Sequence, residues 1–310
     1  MDGRIDMSEA QVDRPINGMR VLVIGGCGFI GGHLTRSLAK SNEVVALDYV
    51  QPSAPIQGVK YVQQDLRSRL DRSRLPENVD VVFHLASAFS LDTVPPLGNL
   101  AITTVSVLDA LEYAVKAYAK HFLFTSTGSV YRLSDEPLKE DVPLEPKQSF
   151  YSAAKYSAEL FVGLYSDRVP GTVVRLFGVY GKATSNPWGR MAEDIASGRP
   201  LKLRPKGTPR INPIYVKDLV PYLEAAAVLG RHETVNLGGE RVVDNVEAAK
   251  LMGEIQGRKP VIEWMAEDVK DIVGDVSKML RLFAYRPRWS LEQGLRAWFL
   301  HDDVPDEPAG

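Results

Sequence analysis

Short apolar runs recur along this chain with helical stretches between them. Val21-Leu22-Val23-Ile24 is followed by a glycine cluster and then by a helical pattern from Phe29 to Lys40, which reads as strand, tight turn, helix. The alternation continues through Val44–Leu47, Lys60–Val62, Val79–Leu85 and His121–Phe124, with a helix predicted from Leu97 to Lys120. Two further strands are predicted at Gly171–Phe177 and Thr234–Leu237, each after a helix-like segment, Tyr151–Ser166 and Val216–Val228. Brief, continuously apolar strands separated by helices predict an α/β fold with a parallel sheet covered on both faces. Proline, glycine and basic residues thicken from Asn186 to Arg210 and again beyond Arg241. The expected organisation is therefore a sheet domain over 19–180 plus about 211–238, and a smaller, discontinuous C-terminal domain over about 181–210 and 239–300. Residues 1–18, polar and without periodicity, read as a flexible extension outside the fold, and 301–310 as a fraying acidic tail.

Composition adds exclusions. With 310 residues and 45% hydrophobic positions the chain can bury a full core. Lys plus Arg number 37 against 39 Asp plus Glu, without long runs of one sign, so no nucleic-acid or anionic-membrane surface is expected. One cysteine, Cys27, permits no internal disulfide, and no Cys/His cluster has metal-ligand spacing, so no metal is expected and a reducing compartment is. Without an apolar leader or spanning stretch, the sequence reads as soluble and cytoplasmic.

Candidate chemistry begins where the first strand ends. Gly25-Gly26-Cys27-Gly28-Phe29-Ile30-Gly31 gives G-x-x-G-x-x-G opening a helix, and Asp48 closes the second strand 17 residues after Gly31. Glycines allow a sharp turn and close approach to a pyrophosphate, which then sits on the helix N-terminus. A carboxylate at Asp48 can accept from both adenosine ribose hydroxyls and would repel a 2′-phosphate, so NAD is favoured over NADP. Cys27 reads as a small inert turn residue, because nothing basic lies near it in sequence. Asp65, with Leu66 beside it, could accept from the adenine amino group or could cap a helix.

Tyr151 and Lys155 stand four apart in a helical stretch and project from one face. An ammonium beside a phenol stabilises the phenolate and brings its pKa toward that of a working base. The same spacing also describes an ordinary surface pair.

Several blocks together resemble the extended short-chain dehydrogenase/reductases, of the NAD-dependent sugar-nucleotide epimerase/dehydratase kind. They are Gly25–Gly31, Asp48, Asp65-Leu66, His84–Ser87, Phe124–Tyr131, Tyr151–Lys155, Arg175–Gly181, Arg210–Asp218, Asn236–Gly239 and Gly274–Lys278 with Tyr285–Pro287, in the family's order over roughly 19–298. The resemblance implies a Rossmann-type doubly wound sheet whose smaller domain binds substrate. It places Thr127 as the hydroxyl at the reacting oxygen, Tyr151 as acid/base, and Lys155 on the nicotinamide ribose. It sets Phe29, Ile30, Leu85, Ala86, Ser87 and Phe177 along the dinucleotide, and Ser129, Gly178 and Arg210 against substrate. Asn99 stands one residue out of register with a family asparagine and is left unassigned.

Departures narrow the reaction. Related 4,6-dehydratases carry an Asp-Glu pair after the catalytic Thr, where this chain has Gly128 and Ser129, and related decarboxylases keep a Glu at the second position. A 4-epimerase needs only reversible hydride transfer at C4 and one acid/base. The resemblance thus implies an NAD-dependent nucleoside-diphosphate-sugar 4-epimerase, with an NAD(P)-dependent keto-sugar reductase or alcohol dehydrogenase as the alternative, and a noncatalytic dinucleotide-binding protein further behind. Lys202, Arg204 and Lys206 crowd the loop before Arg210, whereas Gly178 replaces a common Asn and Met265 stands where a second phosphate-binding Arg is usual. The family's pairing through two helices, here Leu97–Lys120 and Tyr151–Ser166, implies a homodimer.

Overall fold

A computed structural model of the chain describes residues 16–88, 94–147, 149–184 and 186–300. In chain order the elements open with β1 (Arg20–Ile24), α1 (Phe29–Leu38), β2 (Glu43–Asp48), β3 (Val59–Gln63), β4 (Val81–His84), α2 (Pro96–Leu100), α3 (Ser106–Lys116) and β5 (His121–Thr127). They continue with α4 (Phe150–Leu164), β6 (Gly171–Leu176), β7 (Val179–Tyr180), α5 (Pro187–Ser197), β8 (Leu201–Leu203), β9 (Ile214–Tyr215), α6 (Val216–Ala226) and β10 (Glu233–Leu237). The last are α7 (Asn245–Gln256), β11 (Ile262–Trp264), α8 (Ser277–Leu282) and α9 (Leu291–Leu300). No helix among the described residues is long and apolar enough to cross a membrane.

Seven strands form one parallel sheet in the order β10-β6-β5-β4-β1-β2-β3. This is the expected Rossmann-type arrangement, and its order reverses between β4 and β1, where the strand ends diverge into a crevice that suits a ligand. Val21, Leu22, Val23 and Ile24 are all buried, as a strand covered on both faces requires. Val21 and Val23 join an apolar cluster with Leu34 of α1 and Leu219 and Leu223 of α6, while Leu22 and Ile24 face Val107 and Leu111 of α3 and Ala158 and Val162 of α4. The first cluster runs on without a break into Trp188, Met191 and Ile195 of α5 and Leu201 and Leu203 of β8. The Pro- and Gly-rich stretches therefore share a core with the sheet and carry one small parallel pair, β8 with β11, while a second pair, β7 with β9, lies outside them in sequence.

Two expectations need correction. The segment read as one helix from Leu97 to Lys120 is α2 and α3 joined by a π turn over Ala101–Val105, and it ends at Lys116. Ile102-Thr103-Thr104-Val105 is a run of β-branched residues that crowd an α-helical turn, and the widened turn lets Thr104 Oγ1 donate to the Ala154 carbonyl of α4 at 2.8 Å. The chain then leaves the helix through Tyr118, at φ +54°. Second, the end of the N-terminal extension belongs to the fold. Ile16 is 1% exposed, and its carbonyl accepts from Ser41 Oγ at 3.2 Å and Asn42 Nδ2 at 3.0 Å. Residues 1–15 and the tail 301–310 lie outside the described residues.

Candidate active site

The parallel sheet brings the C-terminal ends of β1, β2, β4, β5 and β6 to one edge, and with them most of the residues singled out by sequence. After β1, Gly25 adopts φ +84°, and a Cβ there would stand 2.6 Å from the Ala86 nitrogen. Gly31 is more constrained still, since its Cβ would meet the Gly25 carbonyl oxygen at 1.9 Å. The loop is thus a bare-backbone cradle at the N-terminus of α1, whose first turn carries no acidic side chain and whose Ncap is Gly28. Such a terminus favours a phosphate. Phe29, Ile30, Leu85 and Ala86 are half-buried around it.

Asp48, 7% exposed at the end of β2, accepts from the Cys27 amide at 3.0 Å through Oδ2 and from the Tyr49 amide at 2.8 Å through Oδ1. Oδ1 also takes the Val50 amide at 3.5 Å, so Asp48 braces the glycine loop while Oδ2 keeps a further lone pair for a ribose hydroxyl. Burial and the Asp48 charge push the Cys27 thiol up to about 11, so it is no nucleophile near neutrality. The cradle and the carboxylate together fit a dinucleotide. Asp65 is less available: it accepts from the Arg67 amide at 2.9 Å and from Arg67 Nε at 2.8 Å, and Arg67 holds its carboxyl below the usual range. Leu66 and Phe177, at 8% and 2% exposed, present buried side chains. The Phe177 ring lies in a small core with Val130, Tyr131 and Leu138, between Gly128 and Gly274. Asn99 is fully buried and donates to the Ala88 carbonyl at 2.6 Å.

Tyr151 enters the crevice from the first turn of α4, which Ser149 caps by accepting from the Ser152 amide at 3.1 Å. Its hydroxyl is hydrogen-bonded with Ser87, beyond the end of β4, and with Thr127, the last residue of β5. Thr127 Oγ1 in turn accepts from the Ser129 amide at 3.2 Å. Sequence reading gave Ser87 to the dinucleotide and missed that its hydroxyl meets the tyrosine.

Lys155 sits one helical turn further, 2% exposed, donating through Nζ to the Thr125 carbonyl at 2.7 Å and lying 4.7 Å from the centre of the Phe124 ring. Burial takes its pKa down to about 7, opposed by the Glu159 charge. Burial pushes Tyr151 up to about 12, opposed by its bonds to Ser87 and Thr127. The Lys155 ammonium is turned to the Thr125 carbonyl, and the Ser87 and Thr127 hydroxyls stabilise the phenolate.

On the substrate side, a Cβ on Gly128 would come within 2.5 Å of the Phe177 ring. A carboxylate side chain in that position requires Phe177 to move. Gly178 holds φ +59°, in the left-handed region that asparagine also adopts, and a Cβ there would lie 2.7 Å from Ile211 Cδ1, so an asparagine requires the Ile211 side chain to shift. The neighbouring Arg210 is half exposed. Asp271 accepts its Nε at 2.7 Å and lies 2.6 Å from its Nη2. Lys206 faces Asp268 at 3.9 Å, and Arg204 donates to the Glu267 carbonyl. These cations are shared with protein carboxylates and carbonyls.

The chain matches the model of the NAD dependent epimerase/dehydratase family over residues 21–238. It is 28% identical over 308 aligned residues to the uncharacterized UDP-glucose epimerase YtcB of Bacillus subtilis (strain 168), covering 89% of this chain and 96% of that one. It is 26% identical to a probable UDP-glucuronate 4-epimerase of Rhizobium meliloti (strain 1021), over 89% of this chain and 95% of the relative. The solved structure of the UDP-glucuronic acid 4-epimerase from Bacillus cereus, in complex with UDP-glucuronic acid and NAD, superposes with a TM-score of 0.80 at 25% identity, covering 91% of this chain and 98% of that one. The family match runs from β1 to just past β10, the full width of the large sheet, and on that span the chain belongs to the NAD dependent epimerase/dehydratase family.

Proposed function

We propose that this protein is an NAD-dependent 4-epimerase of a nucleoside-diphosphate sugar, with a UDP-sugar as the first candidate. The observation that carries the reading is the Thr127–Tyr151–Lys155 seam with no carboxylate at the two positions that follow Thr127: they are Gly128 and Ser129, and the Phe177 ring fills the space a side chain at 128 would take. Water elimination needs an acid and a base on the sugar that this site lacks, whereas epimerisation needs one group that takes and returns a proton. The relatives and the solved neighbour named above, described as UDP-sugar epimerases, support the same choice.

In this reading Tyr151 Oη takes the proton of the C4 hydroxyl and later returns it, while the Thr127 hydroxyl holds the reacting oxygen. Lys155 holds the cofactor ribose, and Gly25, Gly28 and Gly31 with Asp48 seat the pyrophosphate and adenosine. When bound, NAD supplies a reversible hydride acceptor and a positive charge beside the tyrosine. Ser129, Gly178 and Arg210 border the substrate, and the elements over about 181–210 and 239–300 form its domain. Exposed Leu97, Val105, Leu160 and Leu164 on the helices α2 to α4 support a homodimer through that face. A cytoplasmic setting suits the single unpaired cysteine.

The test is chromatography with mass detection on UDP-, dTDP-, GDP- and CDP-sugars incubated with the protein and catalytic NAD. An isobaric product without net cofactor change is the expected result and names the sugar. Loss of water would overturn the reaction class. A product differing by two hydrogens, formed only with stoichiometric cofactor, would replace the epimerase reading with the reductase or dehydrogenase one.

A further inference from the structure

Beneath the reactive pair, α4 and β5 are joined by two bonds to consecutive strand residues. Lys155 Nζ meets the Thr125 carbonyl at 2.7 Å, and one turn along the same helix face Glu159 accepts from the Ser126 hydroxyl. Glu159 also takes Arg175 of β6, with Nε at 3.1 Å and Nη2 at 2.8 Å. Arg175 Nη1 donates to Tyr131 Oη at 2.7 Å, and Tyr131 donates to Asn236 Oδ1 at 2.8 Å. Glu159 and Arg175 are 8% and 5% exposed. A buried ion pair is a poor way to gain stability, since apolar residues of similar volume often do as well or better. Its position is therefore the informative feature. Tyr151, Lys155 and Glu159 form an unbroken i, i+4 series, and the carboxylate ends it directly below the lysine.

The lysine needs such a neighbour. A carbonyl accepts its hydrogen bond but neutralises no charge, and burial works against the ammonium. The charged and titratable groups facing it are few. From its own helix come Tyr151 and Glu159. From β4 comes His84, which burial keeps neutral by taking it down to about 3. From β6 comes Arg175, held on Glu159.

We propose that Glu159 is the positioning residue of the reactive pair: by gripping Ser126 and Arg175 it fixes α4 against β5 with Lys155 at the Thr125 carbonyl, and it supplies the buried negative charge that keeps Lys155 an ammonium. The inference rests on the reading of Lys155 as part of the reactive site, and its test observes the lysine itself, with no substrate required. The full-length protein is labelled with 13C at the lysine ε carbons, Lys155 is assigned by the signal lost in Lys155→Met, and its chemical shift is followed between roughly pH 5 and 9. The wild-type midpoint is expected near 7. Glu159→Gln should lower it by about one pH unit or more, and Glu159→Asp should restore most of the difference. Glu159→Gln combined with Arg175→Met, which removes the whole ion pair, should lower it as well.

An unchanged midpoint in Glu159→Gln overturns the proposal. Thermal unfolding accompanies each titration, and should Glu159→Gln fail to fold, the titration moves to the Glu159→Gln/Arg175→Met double variant, which leaves no buried charge unpaired; an unchanged midpoint there overturns it equally. In an active enzyme, a structural role alone would lower turnover of the Gln variant by the same factor at every pH. The charge role makes the deficit grow as pH rises from about 6 to 8. Absence of turnover on every nucleotide sugar would sink the epimerase reading and leave the lysine titration decisive on its own.

Discussion

Lys155 reaches Thr125 across 30 residues and Arg175 reaches Glu159 across 16, in side chains less than a tenth exposed, whereas Arg210 finds Asp271 across 61 residues and stands half in solvent. The reactive seam is assembled from one helix face and the ends of neighbouring parallel strands, so secondary structure alone brings its groups together. The substrate side is assembled from turns that meet only after the C-terminal elements have packed: Gly178 after β6, Arg210 before β9, Asp271 beyond β11. At the foot of the seam Ser126, Lys155, Glu159 and Arg175 are buried and paired, so a change there is felt in full. On the side proposed for substrate the cations are solvated and shared, so a change there costs less stability. In the proposed reading, reaction type is written into the half that tolerates least, and choice of sugar into the half that tolerates most.

The sharpest way to break this contrast is to alter each half and compare. Tyr151→Phe should lower epimerase turnover by roughly a thousandfold or more, the scale of a lost general acid/base, while a calorimetric titration shows NAD bound about as well as before. Turnover near the wild-type rate would remove the tyrosine from the chemistry and with it the seam's claim to be the active site. Arg175→Met should cost about 3–5 kcal/mol of unfolding free energy in urea, because it leaves the Glu159 carboxylate buried without its partner. The matching change at the half-exposed Arg210 should cost clearly less, because solvent already reaches the guanidinium and Asp271 keeps its bond from the residue 210 amide. Equal losses at both positions would show that burial does not separate the two halves.

How much of this was open to a reader of the sequence follows the same division. The sheet was legible because Val21–Ile24, Val44–Leu47 and Val81–Phe83 are unbroken apolar runs, the mark of strands covered on both faces. The glycine loop Gly25–Gly31 and the Tyr151–Lys155 spacing were legible because they are local patterns, whereas Thr127 was placed through the family resemblance. The π turn at Ala101–Val105 was not legible, since its β-branched run also fits an ordinary helix and the bond from Thr104 to the Ala154 carbonyl that holds the widened turn spans 50 residues. Nor was the anchoring of Ile16, which depends on Ser41 and Asn42. The meeting of the Ser87 hydroxyl with Tyr151 was not legible either, because which partner a strand-end hydroxyl finds is decided in space. Glu159 could have been found, as the third member of the series begun by Tyr151 and Lys155.

The two halves also part on acidification. His84 and His121 lie within the sheet, bonded through Nε2 to Ser106 Oγ at 2.9 Å and Thr172 Oγ1 at 2.8 Å, and burial takes them down to about 3 and about 4. Below an unfolded histidine pKa of about 6.5 the unfolded chain binds protons that the native state refuses. Their contribution is therefore complete above about pH 6.5 and is lost as pH falls toward 4, at roughly 1.4 kcal/mol per pH unit for each histidine. Urea unfolding at stepped pH should show this slope, and His84→Asn should remove about half of it. A slope untouched by that change would place the acid sensitivity elsewhere.

The smallest effect tests the tolerant half directly. Arg210 already shares its guanidinium with Asp271, so losing it removes one partly neutralised contact to a substrate phosphate. Arg210→Met should raise KM for the nucleotide sugar about tenfold, the worth of a single charge-assisted bond, with kcat changed by no more than about twofold. That split is what a residue outside the chemistry predicts, because binding lost equally in ground and transition states leaves kcat alone. Met265 offers the reciprocal change: it is 39% exposed about where the family resemblance expects a second phosphate-binding arginine, and Met265→Arg should lower KM without altering kcat. A fall in kcat with either substitution would mean that the substrate side reaches into the seam, and the division of labour between the halves would have to be redrawn.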